Sequence, residues 1–154
     1  MDDVRRSVGP EDLDRLYRDE YDPMLRLAVL MVGSRAVAEE LVHDSFVSVA
    51  ISSDVERPGG YLRTVVVNSC RMVLRHREVE RRLAPEASSR TDHFEVIELR
   101  EALRHLTFAQ RAAIVLRYYA DLSDGEIGEV LACRPSTVRS HLRRGLRQLR
   151  RELS

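Results

Sequence analysis

The sequence predicts an all-α protein of two small helical domains joined by a flexible linker, the C-terminal one containing a helix-turn-helix. Three observations carry this expectation. Apolar residues recur at helical spacing through nearly the whole chain, and almost no stretch alternates with the two-residue period of a strand. Glycine and proline cut that pattern into helix-length pieces at a few positions. A polar stretch from Leu83 to Phe94, carrying Pro85, Ser88, Ser89 and Thr91, separates two such sets of pieces. The expected division is 1–82, a linker at 83–94, and 95–154. Units of this size bury only about 60% of the surface they expose when unfolded, so docking on a larger partner would stabilise them.

In the first unit the helical pattern begins near Glu11. Gly33-Ser34 opens a second helix, and Arg57-Pro58-Gly59-Gly60 separates it from a third that runs to about Arg82. On the second helix Ala38, Leu41, Val42, Ser45, Phe46 and Val49 form one stripe expected to be buried. Glu40, His43, Asp44, Val47 and Ile51 gather on the other side, where acids mixed with aliphatics suit a protein-binding face. Periodicity alone leaves a second possibility open, that Val47 and Ile51 pack on the next helix while the acids are simply solvated. On the third helix Leu62, Val66, Ser69, Cys70 and Val73 are expected inward. Tyr61, Thr64, Asn68, Arg71 and Arg75 line up outward, a stripe with an aromatic for a base to stack upon, an amide for a base edge and arginines for a backbone. An ordinary polar helix face would read the same way.

In the second unit Thr107 to Gln110 and Ser123 to Glu126 each fit the S/T-x-x-E/Q capping box, which fixes two helix starts. From Ser123, Ile127, Val130 and Leu131 define a short helix. Ala132-Cys133-Arg134 breaks it, and Pro135 at a first helical position opens a longer one. Short helix, tight turn and longer helix make a helix-turn-helix. On the last helix Val138, Leu142, Gly145, Leu146, Leu149 and Leu153 share one face, with Ser136, Ser140, Arg143 and Arg147 centred on the opposite one. Arginines there can grip guanine bidentately or neutralise phosphate, and Ser136 and Thr137 sit at the end that usually enters the major groove.

The whole chain of 154 residues has 25 basic and 25 acidic residues, yet its charge is segregated. Acids outnumber arginines from Met1 to Glu56, whereas Arg134 to Arg151 holds seven arginines and no acid. That run contains Arg134, Arg139, Arg143, Arg144 and Arg147, candidates for DNA contact, and it lacks the acids at i,i+4 that a merely solvated helix would gain from. All basic residues are arginine, which suits bidentate phosphate contacts and equally fits the codon bias of a GC-rich genome. No apolar run approaches the roughly 20 residues that span a bilayer, and the N-terminus lacks the apolar core of a secretory signal, so a cytoplasmic protein without membrane insertion is expected. Cys70 and Cys133 suggest neither a disulfide framework nor a zinc site.

Leu103-Arg104-His105-Leu106, Gln110-Arg111-Ala112, Leu116-Arg117-Tyr118-Tyr119, Leu122-Ser123, Glu126-Ile127 and Thr137-Val138-Arg139-Ser140 together resemble the fourth conserved region of extracytoplasmic-function sigma factors. The resemblance implies that Ser136, Thr137, Arg139, Ser140 and Arg143 contact the minus-thirty-five promoter element. Where family members often carry a capping Ser, this chain has Arg134 followed by Pro135; the lost hydroxyl cap costs about 1 kcal/mol unless compensated. The same half also resembles the output domain of LuxR-type regulators, so the N-terminal half must arbitrate. It offers none of the alternating strands of an α/β receiver. Glu39-Glu40-Leu41-Val42-His43-Asp44-Ser45-Phe46 is similar to the second conserved region of sigma factors, which docks the clamp helices of the polymerase largest subunit. That implies a docking role for Glu40, His43, Asp44 and the neighbouring Val47, with His43 where the family usually has Gln. Tyr61-Leu62-Arg63, Val66-Val67-Asn68 and Arg75-His76-Arg77-Glu78 resemble the region that recognises and melts the minus-ten element. Val73 and Leu74 stand where many relatives have adjacent tryptophans, so strand capture would rest more heavily on Tyr61 and the loop around Gly59.

The resemblance implies core RNA polymerase and promoter DNA as partners, with an anti-sigma factor as a further one, and no cofactor. Catalysis is not expected. The five histidines, at 43, 76, 93, 105 and 141, have neither the company of a metal site nor that of a nucleophile, and no Gly-rich phosphate loop or G-x-S-x-G occurs.

Overall fold

The computed structural model of the protein describes residues 8–52, 55–83 and 94–154, and every regular element among them is helical. The order is α1 (Pro10–Val32), α2 (Arg35–Ile51), α3 (Pro58–Leu83), α4 (Phe94–Arg104), α5 (Phe108–Ile114) continuing into a π-helical turn (Val115–Tyr119), α6 (Asp124–Leu131) and α7 (Pro135–Leu153). Leu83 and Phe94, expected in the linker, are the end residues of α3 and α4; the rest of that expected linker lies outside the described residues.

Helices α1, α2 and α3 pack mutually. Pro10 opens α1 with Glu11 and Asp12 in the first turn, where fixed φ and negative charge both favour a helix start. Pro23 lies inside α1 without ending it; Gly33 does end it, at φ 75° in the left-handed region, donating its N–H to the Val29 carbonyl at 2.8 Å. Ser34 then caps α2, its Oγ accepting the Val37 N–H at 3.3 Å. The buried face of α2 is Ala38, Leu41, Val42, Ser45, Phe46 and Val49, the expected stripe. Its one polar member is satisfied, Ser45 Oγ donating to the Leu41 carbonyl at 2.8 Å. Tyr17 joins α1 to α2 by packing on both Tyr21 and Phe46, with ring centroids 4.9 and 5.0 Å away. On α3 Leu62, Val66, Val67 and Cys70 are buried, while Ser69 and Val73 are half-buried. Burial pushes the Cys70 thiol up to about 12, which keeps it a protonated, apolar filler. Cys133 is half-buried.

In the C-terminal half both capping boxes form. Thr107 Oγ1 accepts the Gln110 N–H at 3.2 Å and Gln110 Oε1 accepts the Thr107 N–H at 3.3 Å; Ser123 and Glu126 repeat the exchange at 3.2 Å in each direction. Between the boxes the helix widens instead of stopping cleanly. Ala120 N–H reaches back five residues to the Val115 carbonyl at 3.1 Å, Leu122 N–H bonds the Leu116 carbonyl at 3.0 Å, and Asp121 turns the chain at φ 56°.

The expected helix-turn-helix is α6 and α7. Ala132 takes φ 55°, Cys133 N–H bonds the Gly128 carbonyl at 2.9 Å, and Pro135 opens α7. Two glycines set how closely the elements approach. A Cβ on Gly128 would lie 2.6 Å from the Cys133 backbone oxygen, and one on Gly145 would lie 2.8 Å from Ile114 Cδ1 and 3.2 Å from Gln110 Cβ. Thus Gly128 lets the turn fold back over α6, and Gly145 lets α7 close upon α5. Val138 and Leu142 are buried with Gly145, Leu146 and Leu149 are half-buried, and Leu153, expected inward, is exposed at the fraying end. The buried side chains of both halves join in one apolar cluster running from Met24 to Leu142.

The turn contact can be tested directly. Alanine gains about 1 kcal/mol over glycine in a helix interior, but a backbone oxygen at Gly128 cannot step aside as a side chain can. Gly128→Ala is expected to lose about 1 to 3 kcal/mol of stability, as overpacked sites do, measured by thermal unfolding followed by circular dichroism. An unchanged midpoint would contradict so close a turn.

Candidate nucleic-acid interface

On α7 the sequence-derived residues emerge together. Ser136, Thr137, Arg139, Arg143, Arg144 and Arg147 are exposed, Ser140 is half-exposed, and Arg134 stands exposed at the N-cap with no side-chain cap hydrogen bond. Proline at the first helical position lacks one of the N–H groups that would need a cap, which softens the loss of the hydroxyl. The free first-turn N–H groups and the basic side chains face the same solvent, an arrangement suited to phosphate. The C-terminal half of α7 lines two open grooves. One is formed by Arg143, Leu146, Arg147, Arg150 and Arg151; the other adds His105 and Gln110 to Arg144, Arg147, Gln148 and Arg151. Sequence reasoning did not place His105 and Gln110 beside this arm, since both belong to the preceding helices and only the packing of α5 on α7 brings them there.

Arg139 is not free to swing. Its Nη1 lies 3.5 Å from Asp124 Oδ2, and Arg117 Nη1 lies 3.4 Å from Asp124 Oδ1, so one carboxylate at the start of α6 bridges two arginines. Arg117 also donates to the Leu122 carbonyl at 3.1 Å, fastening the π turn to the segment after it. Asp124 therefore orients a candidate base-reading arginine, a part that sequence periodicity did not reveal.

On α3 the five outward residues take different positions. Tyr61 is exposed, its hydroxyl 3.2 Å from Ser52 Oγ, so the ring is anchored at one end and open on the other. Asn68 and Arg75 are exposed. Thr64 is half-buried, and its Oγ1 donates back to the Gly60 carbonyl at 3.1 Å, so its one hydroxyl proton is already used. Arg71 is also half-buried: its guanidinium sits over the Phe108 ring, 4.8 Å from the centroid, and α5 thereby covers part of the stripe. On α2, Glu40, His43, Asp44 and Val47 are exposed together, Val47 by 47% and Ile51 by 80%. The two aliphatics do not pack on the next helix.

At the foot of α6, Ser123 donates to Glu126 from its backbone N–H and side chain and holds that carboxyl below its ordinary range, with Arg63 of α3 adding to the effect. Arg63 Nε and Asp124 Oδ1 are buried side-chain atoms without a hydrogen-bond partner. Among the described residues no helix is long and apolar enough to cross a membrane.

Residues 97–149 match the family described as "Sigma-70, region 4". Over an alignment of 153 residues the chain is 33% identical to the ECF RNA polymerase sigma factor SigE of Mycolicibacterium smegmatis, covering 89% of this chain and 60% of that relative. It is 29% identical to the RNA polymerase sigma-E factor of Streptomyces avermitilis, with 92% and 85% covered. The chain thus spans somewhat under two thirds of the first relative's length and most of the second's. Among solved structures it resembles the sigma factor RpoE of Bartonella quintana, in complex with the anti-sigma factor NepR, at TM-score 0.75 and 21% identity, covering 93% of this chain and 97% of that one. It resembles CnrH, in complex with the cytosolic domain of CnrY, at TM-score 0.75 and 19% identity, with 94% and 89% covered. At these identities the likeness is one of fold, and it extends over both helical halves.

The capping exchange makes a pH prediction. A carboxyl depressed in the folded state contributes stability above its unfolded pKa, and this is lost as pH falls through the folded value. In a carboxylate titration followed by NMR, Glu126 should protonate below its ordinary range, and Ser123→Ala should move its midpoint upward. Equal midpoints in the two proteins would remove the capping role.

Proposed function

Because the chain belongs to the extracytoplasmic-function branch of the sigma-70 family of sigma factors, we propose that it binds core RNA polymerase and directs it to particular promoters, with no catalysis of its own. The observation that carries this reading is the pairing, in one chain, of two surfaces of opposite character. Helix α7 exposes an unbroken arginine face behind a helix-turn-helix, and α2 exposes Glu40, His43 and Asp44 around Val47 and Ile51. The first suits a polyanion read in its major groove; the second suits a protein partner.

In this reading Ser136, Thr137, Arg139, Ser140 and Arg143 meet base edges and nearby phosphates of the minus-thirty-five element. Arg134, Arg144 and Arg147 add sequence-independent attraction. Asp124 holds Arg139 in place before DNA arrives, which lowers the side-chain entropy lost on binding. Tyr61, Asn68, Arg71 and Arg75 form the strand-capturing stripe for the minus-ten element, and Thr64 contributes shape rather than a hydrogen bond. The anchored Tyr61 ring offers a stacking surface worth about 1 to 3 kcal/mol per base. The protein would act in the cytoplasm, where polymerase and promoter meet. An anti-sigma factor is a further partner in this reading, the fold being one that NepR binds in the Bartonella quintana structure.

Two substitutions test the two surfaces. Asp44→Arg, at an exposed position, should leave the helical content unchanged and abolish comigration with core polymerase on gel filtration; a normal complex would sink the docking assignment. Arg143→Ala should weaken binding to promoter duplex and flatten its salt dependence by about 0.9 in log–log slope if one phosphate contact is lost. Binding indistinguishable from the wild type at every salt concentration would remove α7 as the reader.

A further inference from the structure

Three arginines converge on the C-terminus of α1. A helix end leaves its last carbonyls without intrahelical partners and carries partial negative charge, and α1 has no basic residue of its own in its last turn. Arg111 Nη1, from α5, donates to the Met31 carbonyl at 2.5 Å; Arg77 Nη1, from α3, donates to the Val32 carbonyl at 2.6 Å; Arg100 Nη2, from α4, donates to the Gly33 carbonyl. Two of the three come from the C-terminal half. Arg111 is the centre of the group. It is only 7% exposed, and its remaining donors are taken by the Leu103 carbonyl at 2.9 Å and the Arg104 carbonyl at 3.0 Å, at the end of α4.

The contacts around this joint fall on the strand-capture stripe. Phe108 begins α5 three residues before Arg111, and its ring lies under Arg71. Helix α6 packs on α3 as well, and there the fit is imperfect, with Arg63 Nε buried and unbonded. An orphaned donor of that kind opposes docking, since water would satisfy it if the halves parted. The docked state is therefore held at the end of α1 and resisted along α3.

We propose that this arrangement is a closed state of the protein, latched by Arg111 and Arg100 on the carbonyls of α1, in which the C-terminal half competes with single-stranded DNA for Arg71 on α3. The proposal rests on the strand-capture reading of α3 for its consequence but not for the latch itself. In the closed state a strand laid along Tyr61, Asn68 and Arg75 finds Arg71 already engaged. Opening releases Arg71 and hydrates Arg63, so strand binding and separation of the halves favour one another.

The test uses the full-length chain carrying Phe108→Ala and Arg100→Ala, neither residue being assigned to DNA or polymerase contact. Two quantities are read: the radius of gyration by small-angle X-ray scattering, and the affinity for a short fluorescent single-stranded deoxyoligonucleotide. The wild type should be compact, near the roughly 15 Å of a folded chain of this length, and the variant larger. The variant should bind the oligonucleotide roughly tenfold more tightly, because a larger fraction is competent. Circular dichroism checks that the variant is folded. If it is not, Arg100→Ala alone, which leaves the apolar cluster untouched, should shift both quantities in the same directions by smaller amounts. An unchanged radius in a folded variant would overturn the latch. A larger radius with unchanged affinity would overturn the competition and, with it, the strand-capture role of Arg71.

Discussion

A single buried guanidinium organises this molecule. Arg111 brings a full positive charge into a region where only 7% of its surface remains exposed, a position that ordinarily costs several kcal/mol per ion. No carboxylate is among its printed hydrogen-bond partners; three backbone carbonyls accept from it, one at the end of α1 and two at the end of α4. The negative ends of two helix dipoles thus take the place of a counter-ion. Burial lowers the affinity of Arg111 for its proton, yet an arginine starts so high that the charge survives. The planar fork matters as much as the charge: three separate nitrogens serve three carbonyls at once, which a lysine on one ammonium could not reproduce in the same geometry. Helices from the two halves of the chain meet at this residue, and the apolar cluster closes continuously around it.

Much of the fold was legible in the sequence, for reasons that are local. Side chains repeating every three or four residues put Ala38, Leu41, Val42, Ser45, Phe46 and Val49 on one face whatever surrounds α2. The capping residues Thr107 and Ser123, and Pro135, act within four residues of themselves. The exposed arginine face of α7 follows from the same periodicity. What the sequence withheld depends on distant partners. Arg111 reads as one more surface arginine among 25 basic residues until Met31, eighty positions earlier, is brought beside it. Arg71 reads as a free member of an outward stripe until Phe108 covers it. Thr64 was legible in position but not in state, because a threonine can turn its hydroxyl back to the preceding turn.

The equality of 25 basic and 25 acidic residues conceals how differently the two signs are used. The acids of α2 are exposed and shape a surface. The arginines divide into those that meet solvent along α7 and those drawn inward to helix ends, such as Arg77, Arg100 and Arg111. An inward arginine capping carbonyls and an outward one awaiting phosphate obey the same rule: each donates a planar set of N–H groups to oxygen carrying negative charge. The protein therefore builds its internal joint and its polyanion face from one residue type.

The π-helical turn at Val115–Tyr119 gives the C-terminal half a mechanical degree of freedom of a different kind. A turn closed by five-residue hydrogen bonds accommodates one more residue than the same length of α-helix. Such a turn is the footprint of a one-residue insertion, and each residue in a helix is worth about 100° of rotation. Removing or restoring that single residue would turn α6 and α7 about the axis of α5 without altering any side chain that faces DNA. Descendants of this chain could thus re-aim an intact reading head through one codon gained or lost, a route to new spacing that point substitution does not provide.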